Sequence, residues 1–151
     1  MKKLLPFFTL LVFSSTSWSQ TRVQKDVKPD SYYKQKLTDE QYRVTRQHDT
    51  ERAFAGKYWD NKSTGVYTCI CCDLDLFESN TKFNSGTGWP SYSTYIGNHV
   101  EKSTDRSFGM MRDEVHCARC NAHLGHVFDD GPNPTGLRYC VNSASLNFKL
   151  K

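Results

Sequence analysis

Cys117-Ala-Arg-Cys-Asn-Ala-His-Leu-Gly-His-Val-Phe128 joins a cysteine knuckle directly to a pair of imidazoles. Its counterpart stands earlier in the chain, at Cys69-Ile-Cys-Cys72. Two C-x-x-C pairs supply the four thiolates of a closed tetrahedral zinc site. Cys69, Cys72, Cys117 and Cys120 are therefore expected to hold one structural Zn2+. The pairs are too far apart for a compact zinc ribbon, so the metal would clamp two hairpins of a larger domain. Structural disulfides are the competing use of these thiols. A bridge within one knuckle closes only a tiny loop and stabilises little, so zinc is the better reading. A metal that fixes the second knuckle also fixes His123 and His126. Either imidazole can protonate a leaving oxygen or orient a water; the plainer alternative is that both fill hydrogen-bond positions.

A further cysteine has no such neighbour. Cys140 lies in Arg138-Tyr-Cys-Val-Asn-Ser-Ala-Ser145, and a solitary cysteine with histidines upstream reads as a nucleophile. In a strand, Arg138, Cys140 and Asn142 share one face while Tyr139 and Val141 point the other way. A guanidinium beside a thiol is expected to stabilise its thiolate. The bland alternative is a buried, inert cysteine with an arginine near it. Trp89, in Gly86-Thr-Gly-Trp-Pro90, sits in a rigid loop where an indole can wall a small apolar pocket, or simply belong to the core.

The rest of the chain bounds these readings. Lys2 and Lys3 precede an apolar run over 4–13, then Ser17 and Ser19. This is the pattern of a signal peptide over 1–19, cut before Gln20, and too short for a lasting membrane anchor. It directs the protein to the periplasm or the outside, as an exported chain without a stable membrane span. Cleavage takes the formal charge of +4 down by two lysines to +2. With both signs mixed along the chain, that is no nucleic-acid signature. What remains suffices for one domain with a modest core, and a monomer is the default expectation.

Residues 20–36 read as an extended leader or linker. Thr38-Asp-Glu-Gln41 is a capping box opening a short helix over 39–48. Beyond Gly56 the aromatic content and the glycine and proline punctuation favour strands. These are expected at 57–60 and 66–69, as a hairpin, then at 74–77, 115–117, 126–128, 138–142 and 146–150. The fold class is mainly β, in antiparallel sheets, with one or two short N-terminal helices.

Taken together, these motifs resemble the methionine sulfoxide reductase B family. The likeness is carried by Leu37-Thr-Asp-Glu-Gln-Tyr42, both knuckles, Ser85-Gly-Thr-Gly-Trp-Pro-Ser-Tyr92, His123-Leu-Gly-His-Val-Phe128, Gly131-Pro-Asn-Pro-Thr-Gly136 and Arg138-Tyr-Cys-Val-Asn-Ser-Ala-Ser-Leu146, within a domain over 37–150. The resemblance implies two antiparallel sheets of the β-tent type, a structural zinc away from the active site, and reduction of the R epimer of methionine sulfoxide, chiefly in oxidised proteins or peptides. Cys140 would attack the sulfoxide sulfur and become a sulfenic acid. His123 and His126 would serve the leaving oxygen, Arg138 and Asn142 would support the thiolate and the polar substrate end, and Trp89 would meet the methyl group. A thioredoxin-like thiol reductant would return Cys140 to the thiol. One position departs from the family. Thr87 stands where many members carry a resolving cysteine, which leaves direct attack by a reductant, or resolution by Cys71. The competing class is a non-enzymatic zinc-knuckle binding module with Cys140 buried.

Overall fold

The computed structural model describes residues 22–105 and 112–151. The expected signal peptide lies outside the described residues. Two short helices come first. Residues 20–36, expected to be extended, contain α1 (Asp30–Lys36). Seven residues make a marginal helix alone, and tertiary contacts hold this one. Tyr33 is buried, its hydroxyl accepts from Lys28 N at 3.0 Å, and the Arg46 guanidinium lies 4.4 Å from its ring centre. Pro29 sets φ at −59° just before the first turn, with Asp30 in that turn and Lys34 and Lys36 in the last, as the helix dipole favours.

The next helix, α2 (Asp39–Gln47), forms where the capping box places it. Thr38 Oγ1 accepts from Gln41 N at 3.2 Å, and Gln41 Oε1 accepts from Thr38 N at 3.1 Å. It ends at His48, which takes a left-handed conformation with φ 58°. That turn becomes important at the site.

Nine strands follow among the described residues: β1 (Gly65–Cys69), β2 (Asp75–Glu78), β3 (Lys82–Phe83), β4 (Ser91–Tyr92), β5 (Val100–Asp105), β6 (Arg112–Cys117), β7 (His123–Phe128), β8 (Arg138–Val141) and β9 (Leu146–Leu150). They build two antiparallel sheets, one of order β2-β1-β9 and one of order β3-β4-β8-β7-β6-β5. The expected hairpin of 57–60 with 66–69 does not form. Residues 57–60 are a turn, and β1 pairs instead with β2 and β9. The aromatic character that suggested a strand there serves the core from a turn: Tyr58 is buried, 5.6 Å ring to ring from Tyr67 and 6.2 Å from Phe148.

The core draws on both sheets. Tyr67, Leu76 and Phe77 of the smaller sheet join Tyr92, Val115, Leu124 and Val141 of the larger, all essentially inaccessible to solvent. Phe77 stacks on Tyr92 with ring centres 4.2 Å apart. Each such side chain contributes about 1.5–3 kcal/mol by leaving water. Strand β5 was not expected, because Val-Glu-Lys-Ser-Thr-Asp buries only Val100 among its described side chains. It exists by pairing along β6 over six residues.

Candidate active site

The two knuckles are built alike. Each cysteine that opens a knuckle receives a hydrogen bond at its carbonyl from four residues on: Asp73 N to Cys69 O at 2.8 Å, and Asn121 N to Cys117 O at 3.0 Å. Asp73 and Asn121 both have φ 57°, a left-handed turn that short polar residues tolerate. Each opening amide then bonds one residue further on, Cys69 N to Leu74 O at 2.8 Å and Cys117 N to Ala122 O at 2.9 Å. The paired turns bring Cys69, Cys72, Cys117 and Cys120 together, with all four Sγ atoms within 4.8 Å of one another. The closest cross-knuckle pairs are Cys69–Cys120 at 3.6 Å and Cys72–Cys117 at 3.5 Å, and all six cysteines are free. These are far beyond a disulfide, yet close to the roughly 3.8 Å edge of a tetrahedron with metal–sulfur bonds of about 2.3 Å. The four thiols fit a structural metal. Lys36, Arg119 and Arg46 donate to the carbonyls of Cys71, Cys72 and Cys120, placing three cations around a cluster that would carry negative charge when metallated.

The second site is a row across the larger sheet. Ser91 of β4 stands opposite Cys140 of β8, Cys140 opposite His126 of β7, and His126 opposite Glu114 of β6. Directly paired residues of antiparallel strands project on the same face. The nucleophile candidate, an imidazole and a carboxylate are therefore neighbours by register alone. His123, three residues before His126, would ordinarily point away. Between β6 and β7 the register jumps, Val115 facing Gly125 and His116 facing His123, so Leu124 is an extra residue. This bulge brings the second imidazole back to the first, with ring centres 5.5 Å apart. Gly125 between them is required: its φ is +157°, and a Cβ there would run into the Cys140 carbonyl.

Cys140 opens into a cavity of about 210 Å³ lined by Thr50, Trp89, Gly125, His126, Phe128, Val141 and Asn142. That suits one amino-acid side chain, below the roughly 300–1,000 Å³ of pockets for larger ligands. Its walls carry more apolar than polar surface. Burial pushes the Cys140 thiol above its ordinary value. The Arg138 guanidinium and the Thr87 hydroxyl pull the other way and do not win. Arg138 therefore acts in the expected direction, toward the thiolate, but burial sets the net shift. Arg138 is already committed: Nε and Nη2 donate to the two Asp130 oxygens at 2.8 and 2.9 Å, and its guanidinium lies 4.4 Å over Phe128.

The other expected residues divide. Trp89 and His126 line the cavity with Cys140. Asn142 reaches it too, but both ends of its amide are engaged, Nδ2 donating to Leu124 O at 3.0 Å and Oδ1 accepting from Glu51 N at 3.1 Å. His123 is buried behind the wall, its Nδ1 2.6 Å from Glu114 Oε1. Cys71 is also buried and lines a different cavity, with Tyr33, Lys36, Cys72 and Arg119.

Residues that no motif singled out hold the tryptophan loop from outside the cavity lining. Glu51 receives Trp89 Nε1 at its carbonyl, at 3.1 Å, and its carboxylate accepts from Ser143 N and Ala144 N at 2.7 and 2.8 Å. Phe54 N donates to Gly88 O at 2.9 Å, and a Cβ on Gly88 would lie 2.8 Å from Phe54. Phe54 itself is held at φ 65°, a strained value for a bulky side chain. The segment 51–54 thus straps the tryptophan loop in place. These polar contacts lie between 34 and 93 residues away in sequence, where no local pattern could reveal them.

Known proteins are similar to this chain in sequence. The SelR domain model matches residues 37–150. The chain is 63% identical over 118 residues to the chloroplastic peptide methionine sulfoxide reductase B1 of Arabidopsis thaliana, covering 78% of this chain and 58% of that protein. It is 60% identical over 121 residues to the corresponding rice protein, covering 80% of this chain and 56% of the relative. The bacterial peptide methionine sulfoxide reductase MsrB of Herminiimonas arsenicoxydans is 55% identical over 126 residues, 83% of this chain and 92% of the relative. The chain thus spans a little over half the length of the plant relatives and most of the bacterial one. Matched over most of its length, and carrying both knuckles and the cavity cysteine, the chain belongs to the SelR domain family, the methionine sulfoxide reductase B proteins.

Proposed function

We propose that this protein reduces the R epimer of methionine sulfoxide in proteins and peptides, with Cys140 as the nucleophile. The observation that carries this reading is the pairing of Cys140 with His126 across β7 and β8, in a side-chain-sized cavity walled by Trp89. A buried thiol needs a base beside it, and His126 is the imidazole opposite it across the strand pair. His126 takes the thiol proton as Cys140 Sγ attacks the substrate sulfur, and returns it to the sulfoxide oxygen. The attack makes a bond between the two sulfurs; the protonated oxygen then passes to the Cys140 sulfur, as the bonds from the substrate sulfur to oxygen and to Cys140 both break. Thiol and sulfoxide become sulfenic acid and methionine, with no atom gained or lost. The indole of Trp89 takes the methyl group, which leaves one epimer able to aim its oxygen at His126. Arg138 and Asn142 brace the strand and the cavity floor.

The four-cysteine cluster holds structural zinc, whose chemistry here is to bind the two knuckles together. With threonine at position 87, a small thiol or a thioredoxin-like dithiol protein attacks the sulfenic acid directly. Water leaves, a mixed disulfide forms, and a second thiol releases Cys140. The signal-like N-terminus supports action in the periplasm or outside the cell, as a monomer repairing exported proteins. No described helix is long and apolar enough to cross a membrane. The test is to supply each sulfoxide epimer in a peptide, with dithiothreitol, to the protein and to Cys140→Ser. Turnover of the R epimer alone, lost in the mutant, is expected. A folded, metal-loaded protein that reduces neither epimer would sink the reading in favour of a binding module.

A further inference from the structure

One charged group beside this site has no part in the chemistry above. Glu114 sits on β6 with its side chain 14% exposed, and its Oε1 stands between two imidazoles. His123 Nδ1 lies 2.6 Å from it and His48 Nδ1 2.8 Å from the same oxygen. His123 is 2% exposed and His48 62%, so the pair spans from interior to surface. Three separate elements converge here: the left-handed turn ending α2, strand β6, and the bulge in β7. On its far side, Glu114 Oε2 accepts from Ser103 of β5 at 3.4 Å.

An ionised carboxylate only accepts hydrogen bonds, so each imidazole must present an N–H to it. For His123 this fixes the proton on Nδ1 and leaves Nε2 as the acceptor of the neutral ring. That Nε2 is buried and has no hydrogen-bond partner among the described residues. Its ring packs edge-on to His126, the imidazole opposite Cys140. A carboxylate that sets a histidine's tautomer and orientation is a recurrent device where the other nitrogen has work to do.

We infer that Glu114 is a positioning residue: held between His48 and His123, it locks the tautomer and plane of His123, and through that ring the placement of His126 against Cys140. This inference rests on the reductase reading. Glu114 touches neither substrate nor nucleophile. Its effect falls on the chemical step, because His126 works only when aimed at the reacting atoms.

The test uses the full metal-loaded protein. Nitrogen-15 spectra of its histidines, at a pH where the imidazoles are neutral, should give His123 with Nδ1 protonated; Glu114→Gln, whose amide can donate as well as accept, should show a mixture. A wild-type His123 protonated on Nε2 would overturn the inference whatever the activity. In steady-state reduction of the R epimer, Glu114→Gln should lose about 10- to 100-fold in kcat, as loss of an orienting carboxylate does elsewhere, with KM little changed. Glu114→Asp should recover part of that loss. Glu114→Gln with wild-type kcat, measured beside an inactive Cys140→Ser, would overturn the positioning role and leave the reductase standing. A wild-type protein with no turnover would instead strike the reading beneath, while the tautomer measurement would still decide the geometry.

Discussion

The knuckles and the cavity use the same atom in opposite ways. At the knuckles four sulfurs face one another, on two turns of nearly identical backbone geometry. At the cavity one sulfur faces an imidazole across a strand pair, and every other cysteine is elsewhere. Burial alone does not distinguish them: Cys69, Cys117 and Cys120 are buried, but the knuckle's Cys72 is only half-buried, as Cys140 is. What differs is the set of neighbours. Sulfur surrounded by sulfur and capped by cations needs a metal, whereas sulfur alone beside a proton acceptor is left to react.

Removing the metal should give the largest effect. Structural zinc contributes about 10–16 kcal/mol in isolated finger peptides. That is comparable to the whole stability of a typical domain, about 5–15 kcal/mol. Stripping the metal with a chelator, or Cys117→Ser, should therefore abolish cooperative thermal unfolding followed by circular dichroism. A protein that melts as before would show that the knuckles hold without metal and collapse the contrast. Gly125→Ala should come next. The added Cβ meets the Cys140 carbonyl, so β7 and β8 must part at the row that carries both reacting groups. A loss of about 1–3 kcal/mol in denaturant unfolding is expected, with turnover falling further than stability.

A smaller effect should follow acid. Burial would raise the Glu114 carboxyl, but its contacts with His123 and His48 outweigh that and hold it down to about 2, below its ordinary 4.5. Stability from this group is complete above its unfolded value and lost as pH falls from about 4.5 toward 2. Melting temperature should drop more steeply over that window in the wild type than in Glu114→Gln; parallel curves would mean that the carboxylate gains nothing from its two imidazoles. The smallest change should come from Cys71→Ser. Its cavity is not that of Cys140, so turnover with a dithiol protein should stay within a factor of about two. A collapse of turnover there would break the division between the two kinds of cysteine.

Short-range chemistry was readable in the chain. The capping box at Thr38 and Gln41, the knuckle spacing, and the shared strand face of Arg138 and Cys140 are set within a few residues, and they form as their local rules require. Features made by distant partners were not. Helix α1 depends on where Tyr33 is buried, and Tyr58 and Trp59 look like strand residues until the core claims one from a turn. The Leu124 bulge has no composition signal, since it is a matter of register with β6. Glu114 reads as one acid in a polar strand. Its meaning appears only when residue 48 arrives beside it, 66 positions away.

The strap from Phe54 to Gly88 offers a way to time the cavity without any substrate. That backbone amide is shielded only while residue 88 stays against it, and residue 88 adjoins the indole wall. Its rate of deuterium uptake therefore counts how often the wall swings free. A slow amide at this position would mark the cavity as a preformed mould, and a fast one as a mouth that opens between turnovers.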